Sequence, residues 1–585
     1  MKIENISRRT FLKGSALALG GLALSFSFTA APKRAAAAAG ESDLVATWLQ
    51  VDPQGKVHLW IPSSEMGQGS LPALAQLLAD EMEADLTQVS AQTAPRGDAY
   101  NNPVYGIQAT GGSTAVRGWW KPLRQVGATL RAMLTEAGAR QLGVPVAECQ
   151  AVQHAVVHRV SGRSLPYAEL VEVAAELPVP ADAPLKTPDQ FRYIGRAVPR
   201  IDLPAKVDGS AIFGIDVQMD GLLIAAVAQS PAFGGTLAEM DREAALAVRG
   251  VEQVVELPNA VAVVARSTWQ AQKGLKALKP RFQGGASAGM DTAALEAALR
   301  RDAAEGTPAL AHQSGDLEAG RQRAAQTLDM TYEAPYLAHA TMEPMNATAW
   351  VTADRVRIWA PTQGQTPTTQ TASQITGLPA EQIEVNTTFL GTGLGRRFET
   401  DFIAQAVRLS MAVGNRPVKV VWSREEDMRH DFYRPAAHCR FRIDLDAEGM
   451  PVALENRITA PSIYSRIFPG MLRDGVDNSS VEGAAGDIDY RLAHQRTEYV
   501  LHKAPVPVGF WRSVGHSQNA FFVEGAMDEA AHAAGIDPVA YRLRVLKDDR
   551  LKAALQQAAK LAGWGQAAAG RFQGVAVHSS FGAHV

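Results

Sequence analysis

Three glycine loops carry the residues best suited to chemistry. In FLGTGLGRRFETDF, Phe389–Phe402, the glycines Gly391, Gly393 and Gly395 let backbone N–H groups approach an anion with no Cβ in the way, and Arg396 and Arg397 add fixed positive charge. A second loop, Pro62–Ser70, sets Gln68 between Gly67 and Gly69, where its amide can meet a ligand. A third, Ala109–Thr114, holds Gly111, Gly112 and Ser113. A phosphate or pyrophosphate group of a cofactor suits such loops. Taken alone, a G-x-G-x-G is only a mobile turn, and Ser113 and Thr114 are ordinary helix caps. Near the other end, Gly509–Asn519 places Trp511 beside Arg512, a guanidinium set either to bind a polar substrate or to serve as a buried structural arginine.

These loops need strands and helices to hold them. Thr47–Val51 and Lys56–Ile61 are predicted to form a hairpin across Asp52-Pro53-Gln54-Gly55, followed by a helix over about Pro72–Glu83. A long helix is expected from the Ala109–Thr114 loop toward Leu134. Alternating apolar residues Ile383 and Val385 predict a strand before the Gly391 loop, and Phe402, Ala406, Leu409 and Val413 a helix after it. Val57–Ser63 and Val356–Thr362 share a pattern, and so do the stretches Leu86–Val89 and Ala380–Ile383 downstream of them. A duplicated unit of this kind would set two glycine loops on opposite sides of one crevice. Between the copies, the proline-rich Pro178–Pro199 is expected to be a linker. Lys206–Gly285 is expected to be a small α/β unit with strands at Leu222–Ala228 and Ala260–Ala265 and helices at Ala238–Val248 and Thr268–Leu278. His339 and Glu343 precede a proline, which favours packing or hydrogen bonding over metal ligation. Arg424–Met428 is expected to be a solvated charged turn or short helix.

At 585 residues with 46% apolar content, the chain is long enough for several domains with real cores. A net charge of −3 provides no basic field for nucleic acid. With only Cys149 and Cys439, there are too few thiolates for an iron–sulfur cluster; the two would be buried free thiols or a disulfide, which spacing does not decide. No zinc-binding pattern occurs. Ser7–Lys13 has the form of a twin-arginine export signal, followed by a Gly/Ala-rich apolar stretch too short for a stable transmembrane span. Cleavage near Ala39 and a periplasmic location are expected, with a cofactor inserted before export.

Taken together, EMGQGS (Glu65–Ser70), TGGST (Thr110–Thr114), AHATMEPMNATA (Ala338–Ala349), WAPTQ (Trp359–Gln363), the Phe389–Phe402 loop, REEDM (Arg424–Met428) and GFWRSVGHSQNAF (Gly509–Phe521) resemble the molybdenum-binding large subunit of the xanthine oxidase and aldehyde oxidase family. The likeness is closest to the exported isoquinoline 1-oxidoreductase β-subunit type. The resemblance implies an α/β (α+β) fold: a signal over 1–39, a first molybdopterin-binding region over 40–180, a linker over 181–204, a small hammerhead-like domain over 205–310 and a second molybdopterin-binding region over 320–585. It implies a molybdopterin cytosine dinucleotide whose dithiolene, not the protein, holds the molybdenum. It also implies hydroxylation of an aldehyde or N-heteroaromatic small molecule with oxygen from water, and a small [2Fe–2S] partner subunit passing electrons to a cytochrome or quinone.

By this resemblance Gln68 and Gln363 would bond the pterin or the metal's oxo ligands. The loops Gly67–Gly69, Gly111–Ser113 and Gly391–Arg396 would cradle the cofactor, and Trp511 and Arg512 would stand beside the metal. Thr392 and Leu394 replace a glycine and an aromatic residue of the usual loop, which implies a roomier cavity. The family's general-base glutamate has no counterpart before Val585, so the chain is expected to be truncated. The alternative is a catalytically incomplete cofactor-binding or interaction protein. A nicotinamide dehydrogenase is disfavoured because no acidic residue stands at a strand end about 20 residues past the glycine loop.

Overall fold

In the computed structural model, residues 2–5, 22–27 and 47–585 are described; the twin-arginine motif and the alanine run before Gly40 lie outside them. The hairpin forms as its turn chemistry predicts. Strands β3 (Thr47–Val51) and β4 (Val57–Ile61) pair antiparallel, and the Asp52 carboxylate accepts the N–H groups of Gln54 and Lys56. Strands β1 (Lys2–Asn5) and β2 (Leu22–Ser27) extend the sheet beyond β3. From β4 the chain crosses through helix α1 (Ser70–Glu81) into β5 (Val89–Thr93), which lies parallel to β4. Helix α2 (Thr114–Leu142) then packs along α1. Gly127 allows this close approach, because a Cβ there would lie 2.7 Å from the Leu78 carbonyl and from the Glu81 Cβ.

A second sheet runs β7 (Val251–Leu257), β8 (Ala260–Ala265), β6 (Leu223–Gln229), β12 (Val418–Val421), β9 (Asn346–Val351), β10 (Val356–Ala360), β11 (Ile383–Thr387). Strands of the stretch read as a separate small unit are thus continuous, through the β6–β12 pair, with strands that follow residue 345. The predicted helix at Ala238–Val248 forms only over Arg242–Leu246, because Thr236–Glu239 pairs as a strand with Arg281–Gln283. A third, five-stranded sheet orders Ala309–Ser314, Gln495–Leu501, Pro451–Ala460, Ala437–Leu445 and Gln326–Ala334. Cys439 is buried in it, Cys149 is buried elsewhere, and both are free.

The internal echo is a structural one. β4 and β10 share an alternating burial pattern, and each is flanked by an antiparallel strand on one side and a parallel one on the other. The 12-residue helix α3 (Gln365–Thr376) matches α1, and α4 (Asp401–Ala412) packs on α3 as α2 does on α1. In both copies the matching downstream stretch begins with a 3₁₀ turn, Leu86–Gln88 and Ala380–Gln382. The strand proper starts at Val89 and at Ile383.

The segment read as a linker is fastened down. The Asp80 carboxylate accepts the N–H groups of Arg192, Tyr193 and Ile194 and pairs with the Lys186 ammonium at 2.8 Å. Beside it the fully buried Glu81 pairs with Arg124 and Arg131 and accepts the Lys186 N–H. Backbone groups that a proline-rich stretch cannot satisfy internally are satisfied here by two carboxylates of α1. Asp80→Ala is expected to cost about 3–5 kcal/mol, since it leaves three backbone N–H groups without their acceptor and the buried Lys186 with only Glu83 to neutralise it. The check is a denaturant midpoint together with new proteolytic cleavage at Lys186 or Arg192.

Candidate functional site

The glycine loops do converge, through a network of buried polar side chains. Gln363, which follows β10, accepts the Gly395 N–H at 3.0 Å through Oε1 and donates to the Thr110 carbonyl at 2.9 Å through Nε2. Its own carbonyl accepts the Thr110 N–H at 2.8 Å. One side chain therefore ties the Ala109–Thr114 loop to the Gly391–Gly395 loop. Gly393 packs against it: a Cβ there would stand 2.5 Å from Gln363 Oε1 and 2.9 Å from Met66 Sδ. Gly395, with φ of 106°, sits so close to the Phe510 carbonyl that a Cβ would fall 1.6 Å from its oxygen.

Several of the expected anion ligands are engaged within the protein. Arg396 is buried and clamps Asp401 through two bonds of 2.9 and 2.8 Å, with Asp431 at 3.1 Å from its Nε. Arg397 is also buried, and donates to the Thr392 and Glu343 carbonyls. Neither guanidinium is available for a phosphate, because buried acidic and carbonyl partners have already taken up its charge. Gln68 folds back as well: Oε1 accepts the Met66 N–H and Nε2 donates to the Ser64 carbonyl and the Ser70 hydroxyl. The anion held by the Pro62–Ser70 loop is its own Glu65. That buried carboxylate accepts the N–H groups of Gly67 and Gly69 at 3.1 Å and of Leu71 at 2.9 Å, and pairs with Arg200 at 3.0 Å.

His339 and Glu343 lie in an irregular loop, not on a helix face, and both hold neighbouring groups by hydrogen bonds. His339 Nδ1 lies 2.9 Å from the Asp431 carboxylate, and its Nε2 reaches the Phe510 carbonyl at 2.9 Å. Burial alone would raise the Asp431 carboxyl, but His339 and Arg396 together hold it below its ordinary range. Glu343 accepts the N–H groups of Gly391 at 2.8 Å and Ile215 at 3.0 Å. Arg424–Arg429 forms a short helix capped by Ser423; Glu425, Met428 and Arg429 make the expected solvated face, while Asp427 on its other side is buried, its pKa pushed up by burial, and Arg424 ties it to the carbonyl of Thr341.

A second set of groups remains uncommitted. No hydrogen bond among the described residues uses the N–H of Gly393 or Leu394, nor those of Gly111, Gly112 and Ser113. Ser113 does not cap α2 with its hydroxyl; it lies exposed at φ 52°, just ahead of a 29-residue helix whose N-terminal dipole favours an anion. Arg512 is exposed, and among the described residues its guanidinium has no partner. Trp511 lies between the Ala338 carbonyl, 3.5 Å from its Nε1, and the Arg434 guanidinium, 5.9 Å from its ring centroid.

Six of the thirteen non-glycine residues found in left-handed backbone among the described residues lie on these loops: Ser113, Ala340, Thr392, Leu394, Ser513 and Val514. For a β-branched residue such as Val514 this conformation is strained, and strain of this kind persists only where surrounding structure imposes it. A cluster of free backbone donors, one free guanidinium and strained loops fits a large anionic group held by main chain. Among the described residues, no cluster of His, Cys, Asp or Glu could hold a metal.

Sequence reasoning missed Glu482. Half-buried, it accepts the Gly515 N–H at 3.1 Å, three residues beyond Arg512. Burial, helped by the nearby Asp487 and Asp477, pushes its carboxyl up to about 8. A lone glutamate between Val481 and Gly483 carries no periodicity or motif by which it could be singled out.

Comparison with known proteins identifies the class of group such a chain binds. Two family models, each described as a molybdopterin cofactor-binding domain, match residues 302–546 and 4–204. The isoquinoline 1-oxidoreductase subunit beta of Brevundimonas diminuta is 29% identical over 98% of this chain and 79% of its own length. A membrane-bound aldehyde dehydrogenase [pyrroloquinoline-quinone] of Gluconacetobacter polyoxogenes is 28% identical over 85% of this chain, which spans 66% of that relative. The solved aldehyde oxidoreductase of Desulfovibrio gigas shares the fold, with a TM-score of 0.51 and 18% identity over 63% of this chain and 47% of its own.

The raised Glu482 carboxyl has a consequence for stability. With a folded pKa above the ordinary 4.5, the folded chain binds more protons than the unfolded one between about 4.5 and about 8, so stability falls as pH climbs through that window. Glu482→Gln cannot ionise and should flatten this part of the slope. Urea midpoints at about pH 5 and about pH 9 should show the variant gaining on the wild type toward the alkaline end. Parallel curves would contradict the assignment.

Proposed function

We propose, from the premise that the chain belongs to the xanthine oxidase family of molybdopterin-binding subunits, that it hydroxylates an N-heteroaromatic compound or an aldehyde with oxygen from water. The family makes it part of a molybdenum-dependent oxidoreductase carrying molybdopterin. The finer reading is ours: a cytosine dinucleotide form of the cofactor, a separate [2Fe–2S] subunit, a cytochrome or quinone acceptor, and export to the periplasm by the twin-arginine route. The observation that carries the reading is the set of unpartnered backbone donors at Gly111–Ser113 and Gly393–Leu394, on the two loops that Gln363 ties together.

When bound, the molybdopterin supplies the two-electron acceptor that the polypeptide lacks. The residues of the chain do the rest. The Gly111–Ser113 amides and the α2 N-terminus would hold a phosphate, and the Gly393 and Leu394 amides would donate to oxygen atoms of the group. Gln363 keeps the two loops in register. His339, locked between Asp431 and the Phe510 carbonyl, fixes the turn that presents Trp511 and Arg512. The free Arg512 guanidinium is placed to orient a substrate carbonyl or ring.

The direct test is to purify the chain after expression with its small partner and to measure molybdenum and pterin, both expected near stoichiometric. A folded preparation with neither would overturn the proposal. Arg512→Ala should leave stability within about 0.5 kcal/mol, because the side chain is exposed and unpaired, and should lower turnover by about 10²–10³. Unchanged turnover would remove Arg512 from the site.

A further inference from the structure

A cavity of about 490 Å³ lies where helix α4 meets the ends of β6 and β7 and residues 504–507. It is separate from the glycine loops: none of residues 67–69, 111–113 and 391–396 lines it, and neither do Trp511 and Arg512. A volume of this size holds a small molecule. Its walls are apolar. Phe233, Leu257, Phe432 and Val506 line it, and each keeps part of its surface exposed.

Helix α4 supplies the polar side, where Asp401, Ala404, Gln405 and Arg408 follow one another at helical spacing along one face. Gln405 is the middle of a relay. The Trp422 indole donates to Gln405 Oε1 at 2.8 Å, and Gln405 Nε2 donates to Gln229 Oε1 at 3.0 Å. An indole N–H can only donate, so it fixes both amides, and the relay ends on Gln229 Nε2, a buried donor with no acceptor among the described residues. Arg408, three residues beyond Gln405 on the same face, is exposed, and its guanidinium has no partner among the described residues. The other charged groups that line the cavity are engaged. Both oxygens of Asp401 accept from Arg396, and Asp431 is buried against His339 and Arg396. His430 donates to the Ser230 carbonyl at 2.7 Å and lies 3.1 Å from the Glu426 carboxylate. What is left over the apolar walls is two unpaired donors, one of them charged.

We propose that this cavity binds a small monocarboxylate with an apolar body. Its carboxylate pairs with Arg408 and accepts from Gln229 Nε2, and its body lies against Phe233, Leu257, Phe432 and Val506. A guanidinium offers a carboxylate two parallel N–H groups, which an uncharged amide of the same shape cannot use equally. A dianion such as a phosphate monoester would find only one uncommitted cation. The site lies outside the proposed chemistry and needs no molybdenum, so its test stands whatever the outcome for the proposed function.

The test is calorimetric titration of the full chain, expressed with its partner, with 2-naphthoate, with the uncharged 2-naphthamide and with the cation 2-naphthylmethylammonium. The wild type should bind 2-naphthoate about tenfold more tightly than either of the others. Arg408→Gln should remove that preference without loss of fold, because the side chain it replaces is exposed and unpaired. Gln229→Leu should weaken 2-naphthoate binding about fivefold, with near-ultraviolet dichroism confirming its fold. Arg512→Gln, at the other free guanidinium, should leave the preference in place. Equal affinity for the acid and its amide would overturn the assignment. So would tighter binding of the cation, no binding of 2-naphthoate at all, or a preference lost in Arg512→Gln and kept in Arg408→Gln.

Discussion

The structure depends on the double hydrogen bond of Gln363. A single buried amide accepts from Gly395 and donates to Thr110, and so joins the loop that follows one copy of the duplicated unit to the loop that follows the other. Both amide groups must be satisfied at once, since a buried polar group left unpaired costs roughly 1–3 kcal/mol. The glycines around it follow from this constraint. Gly393 and Gly395 are glycine because the Gln363 amide and the Phe510 carbonyl occupy the space a Cβ would need.

Around that link lies a shell of acid–base pairs in which every carboxylate is buried: Glu65 with the half-buried Arg200, Glu343 with Arg397, Asp431 with Arg396 and His339. Each carboxylate holds a loop by its backbone, and each guanidinium neutralises a carboxylate. Such pairs add little net stability but lose several kcal/mol when broken, so they fix geometry more than they add binding energy. What remains for a ligand is main chain, namely amides with no internal partner and the end of a long helix dipole, together with the exposed guanidinium of Arg512. Loops fixed in this way hold their free amides in place before a guest arrives.

Much of the fold was legible in the sequence. The Asp52–Gly55 turn named its hairpin, Thr268–Leu278 formed over the expected span, and the likeness of Val57–Ser63 to Val356–Thr362 marked a duplication that the sheets repeat. The loops were found for the right reason, their glycines, but two side-chain roles were misread. Sequence shows that Arg396 and Arg397 are charged and not that Asp401, Asp431 and Glu343 lie within reach, so a charge that looked free was spent. Gln68 looked presented by its flanking glycines, yet those glycines free their N–H groups for Glu65. Glu482 was invisible for a related reason. Its raised pKa comes from burial and from Asp477 and Asp487, and burial is a property of the folded chain.

The central claim is that main-chain amides of two loops, and not the arginines between them, hold the cofactor. Hydrogen–deuterium exchange on the cofactor-free and cofactor-loaded protein tests it most directly. Peptides covering Thr110–Thr114 and Gly391–Gly395 should become protected on loading, while the already bonded amides of Gly67 and Gly69 change little. Equal exchange of the two loops in both forms, or protection confined to other segments, would contradict it.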